Sequence, residues 1–128
     1  MKYLLDTHAL LWFLLDDKQL NARAKGIIVD TRNDILASPA SYWEIAIKIS
    51  LEKYTLHQPF TEFFQKELSK NKIIILPITI QHAAIVSNLP FHHRDPFDRL
   101  LIAQAMAENL TVLSNDAMFD HYSVTRIW

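Results

Sequence analysis

Very short apolar runs alternate with longer segments of helical period, and this limits the fold more than anything else in the chain. Lys2–Leu5, Asp34–Ser38, Ile73–Leu76 and Thr111–Ser114 read as buried strands, with Val124–Ile127 as a short fifth. Ala9–Leu15 reads as a helix that is apolar nearly all round, entered by the turn Asp6-Thr7-His8 and closed by Asp16-Asp17-Lys18. A second helix runs from Leu20 or Asn21 to about Thr31 on the stripe Ala24, Ile27 and Ile28. Ser38-Pro39 and Ser41-x-x-Glu44 give overlapping start signals for a third, which is expected to carry Trp43, Ala46, Ile47 and Leu51 inward. Pro59–Lys70 and Thr79–Leu89 follow as helices, the latter ended ahead of Pro90, and Asp95-Pro96 opens a last one. Strands that alternate with helices predict an α/β fold with a parallel sheet covered on both faces. With 128 residues, the chain is read as a single domain spanning 1–128 with one core.

Composition removes several kinds of chemistry. A single glycine, Gly26, excludes phosphate-cradling loops, the dinucleotide fingerprint and the G-x-S-x-G nucleophile elbow, all of which need several glycines. The absence of cysteine excludes disulfides, a thiol nucleophile and thiolate zinc sites, and suits a reducing compartment. A net charge of −1 means that a polyanion must be held by local positive charge or by metal. The apolar run Ala9–Leu15 is too short to span a bilayer, and Asp6 does not belong in a signal peptide, so the expectation is a soluble, cytoplasmic protein without a membrane partner.

What remains is acid. In open parallel sheets, sites form at the carboxyl ends of strands. Asp6 follows the first strand, Glu44 lies in the helix after the second, and Asp116 follows the fourth. Asp98 opens the helix leading into that fourth strand and shares its face with Leu101, Ile102 and Ala105. The topology therefore places four carboxylates along one edge. Each has a local alternative: Asp6 and Asp116 as helix caps, Glu44 as the partner of Ser41 in a capping box and of Lys48 in an i,i+4 pair, and Asp98 as a first-turn acid behind the Asp95 cap. Asp16, Asp17 and Asp120 read as solvated turn residues. Four carboxylates in one small cavity repel, and some would take up protons near neutral pH unless a cation joins them. Mg²⁺ or Mn²⁺ suits such hard oxygen donors, so the cluster points to metal-assisted phosphodiester cleavage.

His8, His92 and His93 lie near the same edge, where a hard metal needs no imidazole; His8 is the candidate substrate contact. Arg94 and Arg99 bracket the acids and are expected either to pair with them or to clamp phosphate, with Lys48 a weaker candidate. Trp12, Phe13, Trp43, Phe60, Phe63 and Phe64 read mostly as core, and the apolar surplus of Trp12–Leu15 as a dimer or partner surface.

Four segments taken in order, Leu4-Leu5-Asp6-Thr7-His8-Ala9-Leu10-Leu11-Trp12, Ser41-Tyr42-Trp43-Glu44-Ile45-Ala46-Ile47-Lys48, His93-Arg94-Asp95-Pro96-Phe97-Asp98-Arg99 and Leu113-Ser114-Asn115-Asp116, resemble the successive motifs of PIN-domain proteins, and especially of VapC-type toxins. The resemblance implies a Rossmann-like α/β/α sandwich with a central parallel sheet of about five strands. It further implies a Mg²⁺- or Mn²⁺-dependent endoribonuclease that leaves 5′-phosphate and 3′-hydroxyl ends, forms a homodimer and is neutralised by a small cognate antitoxin. By position, Asp6 and Asp98 would be the principal metal ligands, Glu44 would bind or orient the metal or the attacking water, and Asp116 would complete the site through water. Asp95, an extra acid of the Asp-Pro-Phe-Asp-Arg subgroup, is a cap first and a ligand second. Ser114 matches the family's Ser or Thr two residues before the last acid, whereas Asn115 replaces a frequent basic residue. A non-catalytic interaction module and a metal-dependent phosphatase or flap-type DNA nuclease are the alternatives.

Overall fold

Strand β1 (Lys2–Leu5) is the axis of the structure, a computed structural model that describes residues 1–128. It pairs with β2 (Asp34–Ala37) on one side and β4 (Thr111–Leu113) on the other, with β3 (Ile74–Ile75) and β5 (Arg126–Ile127) at the edges. The five-stranded sheet runs β3-β2-β1-β4-β5, and every pairing is parallel.

The period-2 alternation of β1 divides the core. Tyr3 and Leu5 face one side with Ile35, Ala37 and Leu113, under α1 (Thr7–Leu14), α2 (Ala22–Val29), α3 (Pro39–Ser50) and α4 (Phe60–Lys70). Leu4 faces the other with Leu36 and Val112, under α6 (Pro96–Glu108) and α5 (Ile80–Ser87). Leu4, Leu5, Leu101 and Ile102 are fully buried, and each such side chain contributes about 1.5–3 kcal/mol of burial. The predicted parallel α/β sandwich is the observed one. His82, buried in the Thr79 capping box of α5, bridges to Glu108 of α6 at 3.1 Å. No helix is long and apolar enough to cross a membrane.

Two local expectations are corrected. The first helix begins at Thr7, not Ala9, because Asp6 caps it. Helix α3 is rotated from the expected stripe: Trp43 and Leu51 are 58% and 57% exposed, while Ala40, Ser41, Glu44 and Ile45 turn inward. The cause lies at its start, where the Ser38 hydroxyl accepts from the Ala40 N–H at 3.1 Å and Pro39 takes N1, so no Ser41–Glu44 capping box forms. Asp16 and Asp120 are exposed as expected, and each meets a cation on the surface, Lys25 at 3.0 Å and Arg126 at 2.9 Å. Trp12 packs against His8 and Trp128, which covers part of the apolar surplus, while Leu15 stays exposed.

Candidate active site

The register of β1 on β4 builds the floor of the site. Leu5 pairs with Leu113, so the next residues, Asp6 and Ser114, leave the sheet side by side, and the Asp6 N–H donates to the Leu113 carbonyl at 3.2 Å. Asp6 Oδ1 accepts from the Ala9 N–H at 2.8 Å as the α1 cap, and Oδ2 accepts from the Ser114 hydroxyl at 2.5 Å. Ser114 Oγ accepts in turn from the Asp116 N–H at 3.0 Å, which fixes the start of the turn after β4. Asp116 Oδ1 caps a short 3-10 helix, Ala117–His121, through the Met118 N–H at 2.9 Å.

Helix α3 enters through Thr7, whose hydroxyl donates to Glu44 Oε1 at 2.8 Å and shares a second hydrogen bond with Ser41 at 3.1 Å. The other Glu44 oxygen pairs with Lys48 at 3.1 Å, the expected i,i+4 contact. At α6, Asp95 Oδ1 accepts from the N–H groups of Phe97 at 2.8 Å and Asp98 at 3.2 Å, so Asp95 is the cap. Asp98, at N3, is left to face the edge.

Electrostatics shows how closely these acids converge. Burial raises the pKa of Asp6 against the opposing pull of its Ser114 and Ala9 hydrogen bonds. The Asp98 carboxyl is pushed up to about 8, first by burial and then by the charges of Asp95, Asp6, Glu44 and Asp116. One carboxylate thus senses the three others that the sequence placed on this edge, and the Asp95 cap besides.

The predicted basic contacts divide. His8 is exposed and stacks on Trp12 with ring centroids 5.4 Å apart, and Arg94 is exposed. Arg99 faces away from the acids, which corrects both expected roles. It is 5% exposed, lies over the Phe91 ring at 4.0 Å, and donates to the carbonyls of Pro90 at 2.8 Å, Leu89 at 3.0 Å, His93 at 3.3 Å and Val86 at 3.4 Å. With its donors consumed inside the fold, it holds the loop before α6 rather than a phosphate.

His93, expected near this edge but with no role there, makes contact with two of the acids. Its Nε2 lies 3.0 Å from Asp116 Oδ2 and 3.1 Å from Asp98 Oδ2. Thr7, read only as a turn residue, was missed. A histidine two positions before a helix cap carries no pattern of its own, so the sequence put it near the edge and only the fold brings it within hydrogen-bonding distance of the acids.

A parallel α/β sandwich with carboxylates gathered at the carboxyl edge of its central strands is the class that fold and site define. The chain belongs to the PIN domain family, which it matches over residues 3–124. It is similar in structure to VapBC2 from Rickettsia felis bound to a DNA fragment from their promoter, at 16% identity and a TM-score of 0.74 over 100% of this chain and 99% of that one. It is also similar to FitAcB from Neisseria gonorrhoeae, at 20% identity and a TM-score of 0.65 over 98% and 96% of the two chains. VapBC-1 from nontypeable Haemophilus influenzae is similar at 14% identity and a TM-score of 0.65, over 99% and 97%. No curated protein is significantly similar in sequence.

Proposed function

We propose that this chain is a divalent-metal-dependent endoribonuclease, the toxin of a toxin–antitoxin pair, which hydrolyses RNA phosphodiesters to 5′-phosphate and 3′-hydroxyl ends. The observation that carries this reading is the convergence of Asp6, Glu44, Asp98 and Asp116 on one edge, where the charges of its neighbours reach Asp98.

The donor set fits Mg²⁺ or Mn²⁺. It consists of carboxylate oxygens, and holding them together as anions is costly without a cation, as the raised Asp98 carboxyl shows. Asp6 and Asp98 would hold the ion, with Glu44, Asp116 and Asp95 secondary. A bound divalent cation would supply Lewis acidity, making water more acidic and offsetting phosphodiester charge. Ser114 keeps Asp6 oriented by donating to it, a hydrogen bond that favours the ionised form against the effect of burial. Thr7 and Lys48 hold Glu44 from both of its oxygens, leaving it turned toward the edge where it can orient an attacking water. Arg94, exposed and next to Asp95 in the chain, and His8, exposed two residues after Asp6, are the candidate substrate contacts.

Membership of the PIN family and the shape shared with the VapBC and FitAcB structures support the toxin reading, with a small antitoxin as partner. Within it, the chain acts in the cytoplasm as a homodimer. The test is cleavage of a mixed RNA substrate by purified protein with Mg²⁺ or Mn²⁺, with EDTA, and with Asp98→Asn. Cleavage that needs metal and disappears in the variant is expected. Cleavage surviving Asp98→Asn, or a preference for duplex DNA or phosphomonoesters over structured RNA, would reject the reading.

A further inference from the structure

His93 is held from several directions. Its N–H donates to the Tyr122 hydroxyl at 2.7 Å, and that hydroxyl donates to the Pro90 carbonyl at 2.7 Å. Its carbonyl accepts from the buried Arg99, and its ring meets the edge of Phe119 with centroids 6.1 Å apart. The ring therefore has a fixed place between α6 and the turn after β4.

Its two nitrogens have different partners. The Asp95 N–H donates to Nδ1 at 3.2 Å, while Nε2 is hydrogen-bonded to Asp116 Oδ2 at 3.0 Å. A nitrogen that accepts an N–H carries no proton, so a neutral ring must carry its proton on Nε2. An imidazole that coordinates a metal through Nε2 needs the opposite arrangement, with the proton on Nδ1 and an acceptor facing it. Here Nδ1 faces the Asp95 N–H, and two N–H groups would collide. Proximity to Asp98 and Asp116 suggests a ligand, but the partner of the far nitrogen argues against one.

We propose that His93 is a positioning residue of the acidic centre: an Nε2–H donor, its tautomer set by the Asp95 backbone, that holds the Asp116 carboxylate beside Asp98 and does not itself coordinate metal. The inference rests on the metal-dependent reading above. It also gives the Arg99–Tyr122 scaffold a purpose, since those residues aim the ring.

The test uses the full chain. Long-range ¹H–¹⁵N correlation on metal-free protein labelled at histidine should show the Nε2–H tautomer for His93; the Nδ1–H tautomer would overturn the proposal. Pulsed EPR of the Mn²⁺-loaded protein should show no directly bound nitrogen, and a ¹⁴N coupling lost in His93→Gln would overturn it. By analogy with other outer-shell partners, His93→Ala should weaken Mn²⁺ binding about 10–100-fold, while His93→Gln, whose amide N–H can reach the same place, should stay within about 3-fold. Equal loss in both variants would assign the effect to packing, and no loss in His93→Ala would remove the role; either result overturns the proposal. Failure of wild-type protein to bind Mn²⁺ would instead overturn the metal reading, and the positioning role with it.

Discussion

Ser114 donates to Asp6 at 2.5 Å, although the two residues are 108 apart in sequence. The contact joins the ends of two neighbouring parallel strands, and it gives a buried carboxylate a short hydrogen bond that favours its ionised form.

Replacing Ser114 by alanine should therefore raise the Asp6 carboxyl further. The acid limb of the pH–activity profile should move to higher pH, and the protein should lose about 1–3 kcal/mol of stability, the cost of leaving a buried acceptor unmatched. A pH–rate series with chemical denaturation checks both, and an unmoved acid limb would deny Ser114 its electrostatic role.

Asp98 sets a second pH dependence. Its folded-state carboxyl is raised to about 8 from an ordinary 3.8, so between these values the native state holds a proton that the unfolded chain has released. This group's contribution to stability is fully present below the ordinary value and is lost as pH rises through about 8. Metal-free protein in EDTA should melt several degrees lower at about pH 9 than at about pH 6, and Asp98→Asn should flatten that fall. Mn²⁺ should raise the melting temperature most at the alkaline end, because the ion displaces the proton. Thermal scans across pH, with and without metal, decide it.

Arg99→Ala should cost stability rather than RNA contact. It would leave buried carbonyls of the loop before α6 without their donor, at a cost of about 2–4 kcal/mol, and should not change the salt dependence of RNA binding. A flattened salt slope in a still-folded variant would restore Arg99 as a phosphate clamp.

Arg94→Ala should behave in the opposite way. The side chain is exposed, so stability should change by less than about 0.5 kcal/mol, while the slope of log affinity against log salt should fall by about 0.7–0.9, one phosphate contact. Binding measured in an Asp98→Asn background across salt concentrations gives both numbers.

Trp43→Ser tests the orientation of α3. With the ring 58% exposed and touching Phe97 edge-on at 5.3 Å, the loss should be about 1 kcal/mol or less. A cost of about 3–5 kcal/mol, as for a core aromatic, would mean that the helix faces the other way.

Much of this was legible in the residues themselves. Hydrophobic period and cap chemistry are local, and they marked Lys2–Leu5, the Asp95-Pro96 helix start and the Thr79 cap directly. The alternation of strands and helices then set the parallel sheet, and with it the edge on which Asp6, Glu44, Asp98 and Asp116 lie. The face of α3 was less legible, because two start signals three residues apart imply different stripes, and only the Ser38 cap selects one.

What the tertiary structure alone decided is which polar group each side chain meets. Arg99 and Arg94 look alike in the sequence, yet one is buried among carbonyls and the other is free on the surface. His93 looked like one surface histidine among several until the turn after β4 brought Asp116 to its Nε2. The physical reason is one of range. Burying apolar surface depends on a residue's own period along the chain, whereas a hydrogen bond needs a partner within about 3 Å, and that partner comes from whichever distant segment the packing delivers.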